Sequence, residues 1–316
     1  MNKILITEPE YKKAKAIFES TAGFKCSSAP TEEKALAEAI KNQNVKYVIV
    51  GVAKYTDELY KALPEGGVIV RFGVGHDGID KKMATTRGIY CANTPGVLDD
   101  SVAEYAIGLM LDSARHIASS AADCGKGLWK PRVGIELHEK KLTVIGCGNI
   151  GRKVAKIAKY GFGMKITGFN IREIEDNDVI DEFTSDFSEA VRDADFVSVH
   201  IPDRPTTRNF IDINKLKMMK KSAILVNTSR GNILDEDALY DAVQNGIIAG
   251  AALDVFKNEP YTPLNPSKDL RSLDKIIMSP HMGSSTSDAC ERMARLALKN
   301  IEFAEKGKVN EMNLVN

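Results

Sequence analysis

The chain has 316 residues, 43 Lys and Arg against 43 Asp and Glu, and 43% hydrophobic residues. That length suits two domains better than one core. The neutral balance leaves no global field to draw in nucleic acid or an acidic membrane, so neither is expected as a partner. No apolar run approaches the roughly 20 residues that span a bilayer.

Taken in chain order, short apolar runs alternate with amphipathic helical patterns. The opening run 3–6, soon interrupted by Glu8-Pro9, reads as a first strand and not as a signal peptide. Further strands are predicted at 46–50, 68–70, 142–145, 196–199, 223–226, 250–255 and 275–278, several of them rich in Val and Ile as buried parallel strands are. Helices are predicted at 31–41, 56–63, 152–160 and 235–244. The last of these starts on Asp235 as N-cap, with Glu236 and Asp237 complementing the dipole of its first turn. This alternation predicts an α/β protein with parallel sheets. The stretch 101–121 is apolar on most of its faces, which predicts a helix buried all round, in the core, at a subunit interface or both. A final helix at 288–306 carries Met293, Leu296, Ala297, Ile301 and Ala304 on one face and needs a partner surface.

Five cysteines occur, Cys26, Cys91, Cys124, Cys147 and Cys290, and no two stand in a CxxC spacing. Reduced thiols, a cytoplasmic location and no metal site are expected.

The strongest local signal is Leu142-Thr143-Val144-Ile145-Gly146-Cys147-Gly148-Asn149-Ile150-Gly151, a strand running into G-x-G-x-x-G with a helical pattern behind it. Gly146 permits the tight turn, Gly148 lets backbone approach a pyrophosphate, and Gly151 lets the helix pack close to the strand. The second strand of such a unit ends at Asn170, where an acidic residue would hold the ribose of NAD. Arg172 follows two positions later. Without the carboxylate a 2′-phosphate is no longer repelled, and Arg172 offers it a cation. NAD and NADP both stay open, with a slight lean to NADP.

Three candidates for chemistry follow separate predicted strands: Arg230 in Asn227-Thr228-Ser229-Arg230-Gly231, Glu259 in Asn258-Glu259-Pro260, and His281 in Ser279-Pro280-His281-Met282-Gly283. Ligands of α/β sheets bind beyond such strand ends. Oxidising an alcohol by hydride loss needs a base, a cation at the oxygen, and a group that tunes the base. His, Arg and Glu supply those three functions.

With these motifs in place, the sequence resembles the D-isomer-specific 2-hydroxyacid dehydrogenases, and most of all their phosphoglycerate dehydrogenase branch. The elements occur in family order over nearly the whole chain: Arg71-Phe72-Gly73-Val74-Gly75-His76-Asp77-Gly78, Asn93-Thr94-Pro95-Gly96, Ser101-Val102-Ala103-Glu104, the glycine loop, His200-Ile201-Pro202, Asn227-Thr228-Ser229-Arg230-Gly231, Ala252-Leu253-Asp254-Val255, Glu259-Pro260 and Ser279-Pro280-His281-Met282-Gly283. The resemblance implies two doubly wound domains. A Rossmann cofactor domain at 93–284 is inserted into a flavodoxin-like substrate domain made of 1–92 and the returning helix 285–316. Catalysis is expected in a cleft that closes by hinge motion.

The resemblance also implies roles. His281 is general acid and base, Glu259 orients it and favours its charged form, and Arg230 binds the carboxylate and 2-oxygen. Val74 and Gly75 offer backbone N–H groups to the carboxylate. Cofactor contacts are implied for Gly146, Gly148, Asn149, Ile150, Gly151, Asn170, Arg172, His200, Ile201, Pro202, Thr207, Thr228, Ser229, Arg230, His281, Gly283 and Val102, with Asp254 accepting from the nicotinamide carboxamide and Thr94 near the ring. Lys54 and Arg71 are candidates for a substrate phosphate, whereas Asp99 and Asp100 would disfavour one. His76 and Gly78 depart from the commoner residues of their motif. A homodimer through the cofactor domain is expected. The substrates in view are 3-phosphoglycerate or, as the alternative, hydroxypyruvate and glyoxylate. A non-catalytic NAD(H)-sensing, corepressor-like binding protein is the reading from another class.

Overall fold

The computed structural model describes residues 2–171 and 178–316. The chain forms two compact units, one made of Met1–Leu98 with Ser284–Asn316 and the other of Asp99–Gly283.

The first unit holds a parallel sheet of β1 (Asn2–Thr7), β2 (Phe24–Ala29), β3 (Tyr47–Val50), β4 (Val68–Arg71) and β5 (Tyr90–Ala92), in the order β2-β1-β3-β4-β5. Every residue of β3 and β4 is buried, as their unbroken apolar runs require. The final helix, Ser287–Glu305, buries Met293, Ala294, Ala297, Leu298 and Ile301 and packs on β4. Thr286 caps it by accepting from the Ala289 N–H at 3.1 Å. The helix belongs to this unit because Asn300 stitches it there: its amide donates to the Asn93 carbonyl and its oxygen accepts from the Asn313 N–H. These bonds also explain why the unit runs on to Leu98 and not to residue 92. The Asn93 side chain donates to the Val74 carbonyl, Thr94 accepts from the Gly73 N–H, and the Val97 carbonyl accepts from Arg292.

The second unit holds β6 (Lys141–Ile145), β7 (Lys165–Phe169), β8 (Glu182–Thr184), β9 (Phe196–Val199), β10 (Ile224–Asn227), β11 (Gly250–Leu253) and β12 (Ile276–Met278), all parallel, in the order β12-β11-β10-β9-β6-β7-β8. The strand order reverses at β6, which places the loop after β6 at the topological switch point. The helix Asn149–Phe162 buries Gly151, Val154, Ala155 and Ala158, the three- and four-residue spacing of one helical face.

The sequence reading misses β2, β5 and β8. All three are edge strands, partly exposed, so none shows the apolar run of a buried strand. The stretch 101–121 is also not one buried helix. The helix Asp99–Arg115 is largely buried, but His116 takes a left-handed φ of 58° and a second helix, Ile117–Gly125, buries none of its residues. Asp112 stabilises the break by accepting from the Ala118 N–H at 2.7 Å.

Candidate active site

The second sheet ends in one aligned row. Phe169 pairs Ile145, Ile145 pairs Val199, Val199 pairs Asn227, Asn227 pairs Leu253, and Leu253 pairs Met278. The next residue on each strand is therefore Asn170, Gly146, His200, Thr228, Asp254 or Ser279. Six of the positions singled out by sequence motifs sit side by side at the carboxyl edge, where α/β sheets bind ligands.

At one end of this row His281 meets Glu259. The His281 Nδ1 is 2.7 Å from the Glu259 Oε2. Glu259 is fixed in turn by the Phe256 N–H, which donates to its Oε1 at 3.0 Å. Burial pushes the Glu259 carboxyl up, but the hydrogen bond and charge of His281, the Phe256 N–H and the Arg230 charge outweigh it and hold the group below its ordinary value. Glu259 is thus anionic at neutral pH. His281 takes a left-handed φ of 54°, and its N–H donates to the Asp254 carbonyl at 2.9 Å.

Asp254 is 1% exposed. Its Oδ1 accepts from Ser279 Oγ at 2.7 Å and from the Met282 N–H at 2.8 Å, and its Oδ2 accepts from the Gly283 N–H at 2.8 Å. The structure therefore engages both oxygens of this carboxylate in shaping the His281 turn, a task that the expected carboxamide contact did not include. Gly283 is further tied by Ser101, whose hydroxyl donates to its carbonyl, and lies beside Val102.

The Arg230 turn is built by Asn227, whose amide donates to the Arg230 carbonyl and whose oxygen accepts from the Ser229 N–H and hydroxyl. The Ser229 hydroxyl is thereby engaged within the protein. Gly231 lets this turn press on the next loop: a Cβ there would lie 1.9 Å from the Phe256 carbonyl carbon.

The glycine loop fits a dinucleotide. A Cβ on Gly146 would meet Ile201 and the His200 backbone at 2.7–2.8 Å, and one on Gly151 would meet the Gly146 carbonyl at 2.1 Å, but one on Gly148 would meet nothing within 4 Å. Two glycines are required by the protein's own packing and the third opens a cradle. Gly148 is also the N-cap of the Asn149–Phe162 helix and gives it no side-chain cap. The N–H groups of Asn149, Ile150 and Gly151 are therefore directed at that cradle. Thr228 Oγ1 is buried without a hydrogen-bond partner among the described residues, an acceptor or donor that a bound ligand would satisfy. We expect Gly148→Val to raise the dissociation constant for NAD(P)H at least about tenfold, roughly 1.4 kcal/mol, while the melting temperature of the free protein barely moves. Fluorescence titration and thermal unfolding check this. A large fall in melting temperature would place Gly148 in the packed interior instead.

Other positions in the row behave less uniformly. Burial pushes the His200 imidazole down to about 4, so it is neutral, and its Nε2 lies 2.8 Å from Ser198 Oγ. The Thr207 hydroxyl closes its own loop, donating to the Pro202 carbonyl and accepting from the Arg204 N–H. Pro202 is exposed and Asn170 half-buried. Arg172 lies outside the described residues. Asp99 lies beside Asn149, burial raising its carboxyl above the usual range, and Asp100 pairs with Lys153. Both acids thus contact the Asn149–Phe162 helix, at Asn149 and Lys153.

In the first unit the Val74 and Gly75 N–H groups meet no protein acceptor among the described residues. Lys54 is exposed. Arg71 is 8% exposed and folds its guanidinium beneath Gly73 to donate to the Phe72 carbonyl. Gly51, at the end of β3, leaves a space that the Glu10 carboxylate fills: a Cβ there would lie 2.2 Å from Glu10 Oε1. Gly78 is required for another close approach, since its Cβ would lie 2.4 Å from the Ala53 carbonyl. Glu10 carried no signal in the sequence, because an acid in a first helical turn ordinarily reads as a solvated one.

Residues 107–283 match the family model described as D-isomer specific 2-hydroxyacid dehydrogenase, NAD binding domain. The D-3-phosphoglycerate dehydrogenase of Methanocaldococcus jannaschii is 40% identical over all of this chain, which spans 60% of that relative's length. The glyoxylate reductase of Thermococcus litoralis is 40% identical over 90% of this chain and 88% of its own. A crystal structure of an NADPH-dependent glyoxylate/hydroxypyruvate reductase from Sinorhizobium meliloti, in complex with citrate, superposes with a TM-score of 0.82 at 27% identity, covering 96% of this chain and 94% of that one. The chain belongs to the D-isomer-specific 2-hydroxyacid dehydrogenases and is a nicotinamide-dependent oxidoreductase that acts on the CH–OH group of a 2-hydroxy acid.

Proposed function

We propose that the protein reduces a small unphosphorylated 2-oxo acid, of the glyoxylate or hydroxypyruvate kind, to its D-2-hydroxy acid, and catalyses the reverse oxidation. The observation that carries the chemistry is the 2.7 Å contact between His281 and Glu259, with the Arg230 charge acting on the same carboxylate. Glu259 engages Nδ1, which leaves Nε2 to give a proton to the substrate's 2-oxygen in reduction and to take it back in oxidation. Arg230 binds the carboxylate and polarises the 2-oxygen with its planar fork. In the first unit, the Val74 and Gly75 N–H groups are candidate donors to an anionic ligand. The nicotinamide cofactor, when bound, supplies or accepts the hydride at the 2-carbon. Gly148, Asn149, Ile150 and Gly151 would hold its pyrophosphate, and Thr228, His200, Ile201, Val102 and Gly283 would line the rest of its path.

The preference for an unphosphorylated substrate rests on the first unit. Arg71 is buried against its own backbone, and the Glu10 carboxyl fills the space above Gly51. Lys54 alone of the expected phosphate-binding pair is exposed. Oxidation of 3-phosphoglycerate is the second reading, favoured by the 40% identity to a phosphoglycerate dehydrogenase over the whole chain. Oxidation of NADH and NADPH should be followed against glyoxylate, hydroxypyruvate and phosphohydroxypyruvate. The proposal expects the highest kcat/KM with an unphosphorylated acid. A preference for phosphohydroxypyruvate that collapses in Lys54→Ala and Arg71→Ala would establish the second reading. Silence across the panel with cofactor still bound would favour a nucleotide sensor. Asn170 in place of an acidic residue supports NADPH as at least an equal of NADH.

A homodimer through the second unit accompanies this function. Ile117, Leu128, Trp129, Val133 and Ile135 are all exposed, Trp129 by 89% and Val133 by 97%, an apolar surface that a monomer does not ordinarily leave in water. Trp129→Asp with Val133→Asp should halve the mass seen by sedimentation at micromolar concentration. An unchanged sedimentation coefficient would remove these residues from the interface.

A further inference from the structure

We propose that Glu236 is a positioning residue for the reaction, a buried carboxyl that anchors the Phe256–Lys257 peptide and so holds Glu259 against His281. This rests on the roles proposed above for Glu259 and His281. Sequence logic makes Glu236 a solvated acid at a helix N-terminus. The structure instead leaves it 4% exposed. The helix is capped by its neighbour Asp235, which accepts from the Ala238 N–H at 3.2 Å, so Glu236 is free for a different task.

Its Oε1 accepts from the Lys257 N–H at 2.6 Å. The adjoining amide, Phe256 N–H, donates to Glu259 Oε1. Successive N–H groups of one short segment are thus held by two carboxylates, one facing the interior and one facing the histidine. The other side of the same segment is pressed by Gly231, one residue after Arg230, with no room for a Cβ. Moving the Phe256–Lys257 peptide would therefore disturb Glu259 and the Arg230 turn together. The second oxygen of Glu236 is buried with no hydrogen-bond partner among the described residues. Burial raises its carboxyl above the ordinary value, the Lys257 N–H and charge oppose this, and Asp237 and Asp235 add to it. What the geometry asks of the side chain is an acceptor at Oε1 for the Lys257 N–H. Glutamine has the same shape and the same acceptor without the charge, so it should replace Glu236 where alanine cannot.

The test reads the histidine directly. In ¹⁵N-histidine-labelled protein, the His281 ring signal is assigned by its loss in His281→Ala and titrated in wild type, Glu259→Gln, Glu236→Ala and Glu236→Gln. Glu236→Ala should move the His281 midpoint downward, in the same direction as Glu259→Gln, while Glu236→Gln leaves it at the wild-type value. Glu236→Leu, which fills the same space, serves if the alanine variant does not fold. Turnover adds a second reading. Reductive kcat should fall roughly tenfold or more in Glu236→Ala, with the dissociation constant for NADH unchanged. Glu236→Ala combined with Glu259→Gln should be no slower than Glu259→Gln alone, because residues acting through one another are not additive. A His281 titration unchanged in both Glu236→Ala and Glu236→Leu, or strictly multiplicative losses in the double variant, would overturn the inference. A wild-type protein inactive on every 2-oxo acid would sink the proposed function instead, and the titration would still decide the role of Glu236.

Discussion

His281→Ala should lower kcat in both directions by about 10²–10⁴-fold, the usual contribution of a positioned acid–base group, and leave the affinity for NAD(P)H within about twofold. The carbonyl carbon cannot take a hydride to give a neutral alcohol unless a proton reaches the oxygen, and Nε2 of His281 is the donor that the Glu259 contact leaves available. The left-handed backbone at residue 281 costs alanine only about 1–2 kcal/mol, a cost histidine already bears, so the variant should fold. Glu259→Gln completes the argument with a pH dependence. In the wild type the Glu259 carboxyl is held below its ordinary value. The carboxylate is therefore fully ionised above that ordinary range and is lost only as pH falls through the depressed folded value, and the ion pair exists wherever the imidazole is also protonated. The glutamine variant lacks the charge at every pH, so its reductive kcat/KM should begin to fall at lower pH than in the wild type. Initial rates across pH 5 to 9, with cofactor titrated separately by fluorescence, check both variants. Turnover of His281→Ala within about tenfold of wild type would transfer the proton to another donor and remove the role given to this pair.

What could be read from sequence was what local geometry dictates. Gly146, Gly148 and Gly151 were legible because each is required at its place by turn, ligand approach or helix packing. Arg230, Glu259 and His281 were legible as polar residues shortly after apolar runs, and the alignment of Asn227, Leu253 and Met278 gives the reason they lie near one another: in a parallel sheet in register, residues beyond each strand end become neighbours. What could not be read depends on partners distant in sequence. Glu236 and Glu10 look like ordinary acids of first helical turns, and nothing nearby shows that Lys257 or Gly51 will approach them. Asp99 and Asp100 could not be aimed without knowing where Asn149 and Lys153 fall. The break at His116 lacks the glycine that usually marks a left-handed residue, so an apolar stretch that forms two helices reads as one. Trp129 and Val133 were passed over because their exposure is a property of the folded surface and not of the sequence pattern.

Asp254→Asn should lower the melting temperature of the free protein by about 5–10 °C and reduce turnover severely, although the substitution keeps the size of the side chain. The reason is the direction of three hydrogen bonds. Oδ1 accepts from Ser279 and the Met282 N–H, and Oδ2 accepts from the Gly283 N–H. An amide keeps one acceptor and turns the other atom into a donor. Either Gly283 or Met282 then presents its N–H to an NH₂ group in a site with almost no access to water, and a buried donor left unsatisfied costs about 1–3 kcal/mol. Bonds to a charged acceptor lie at the strong end of the scale, so the loss should exceed that of one neutral hydrogen bond. The consequence for function follows from what the carboxylate holds. Met282 and Gly283 are the residues after His281, and the His281 N–H is bound to the carbonyl of Asp254 itself, so releasing them frees the imidazole from the position in which Glu259 meets it. The same experiment separates this role from a direct contact with the cofactor's carboxamide. A residue needed only for that contact would leave the melting temperature of the free protein unchanged and lose the stabilisation added by NAD(P)H. A residue that builds the histidine turn lowers the melting temperature before any cofactor is present, and the three bonds to Asp254 predict the second result.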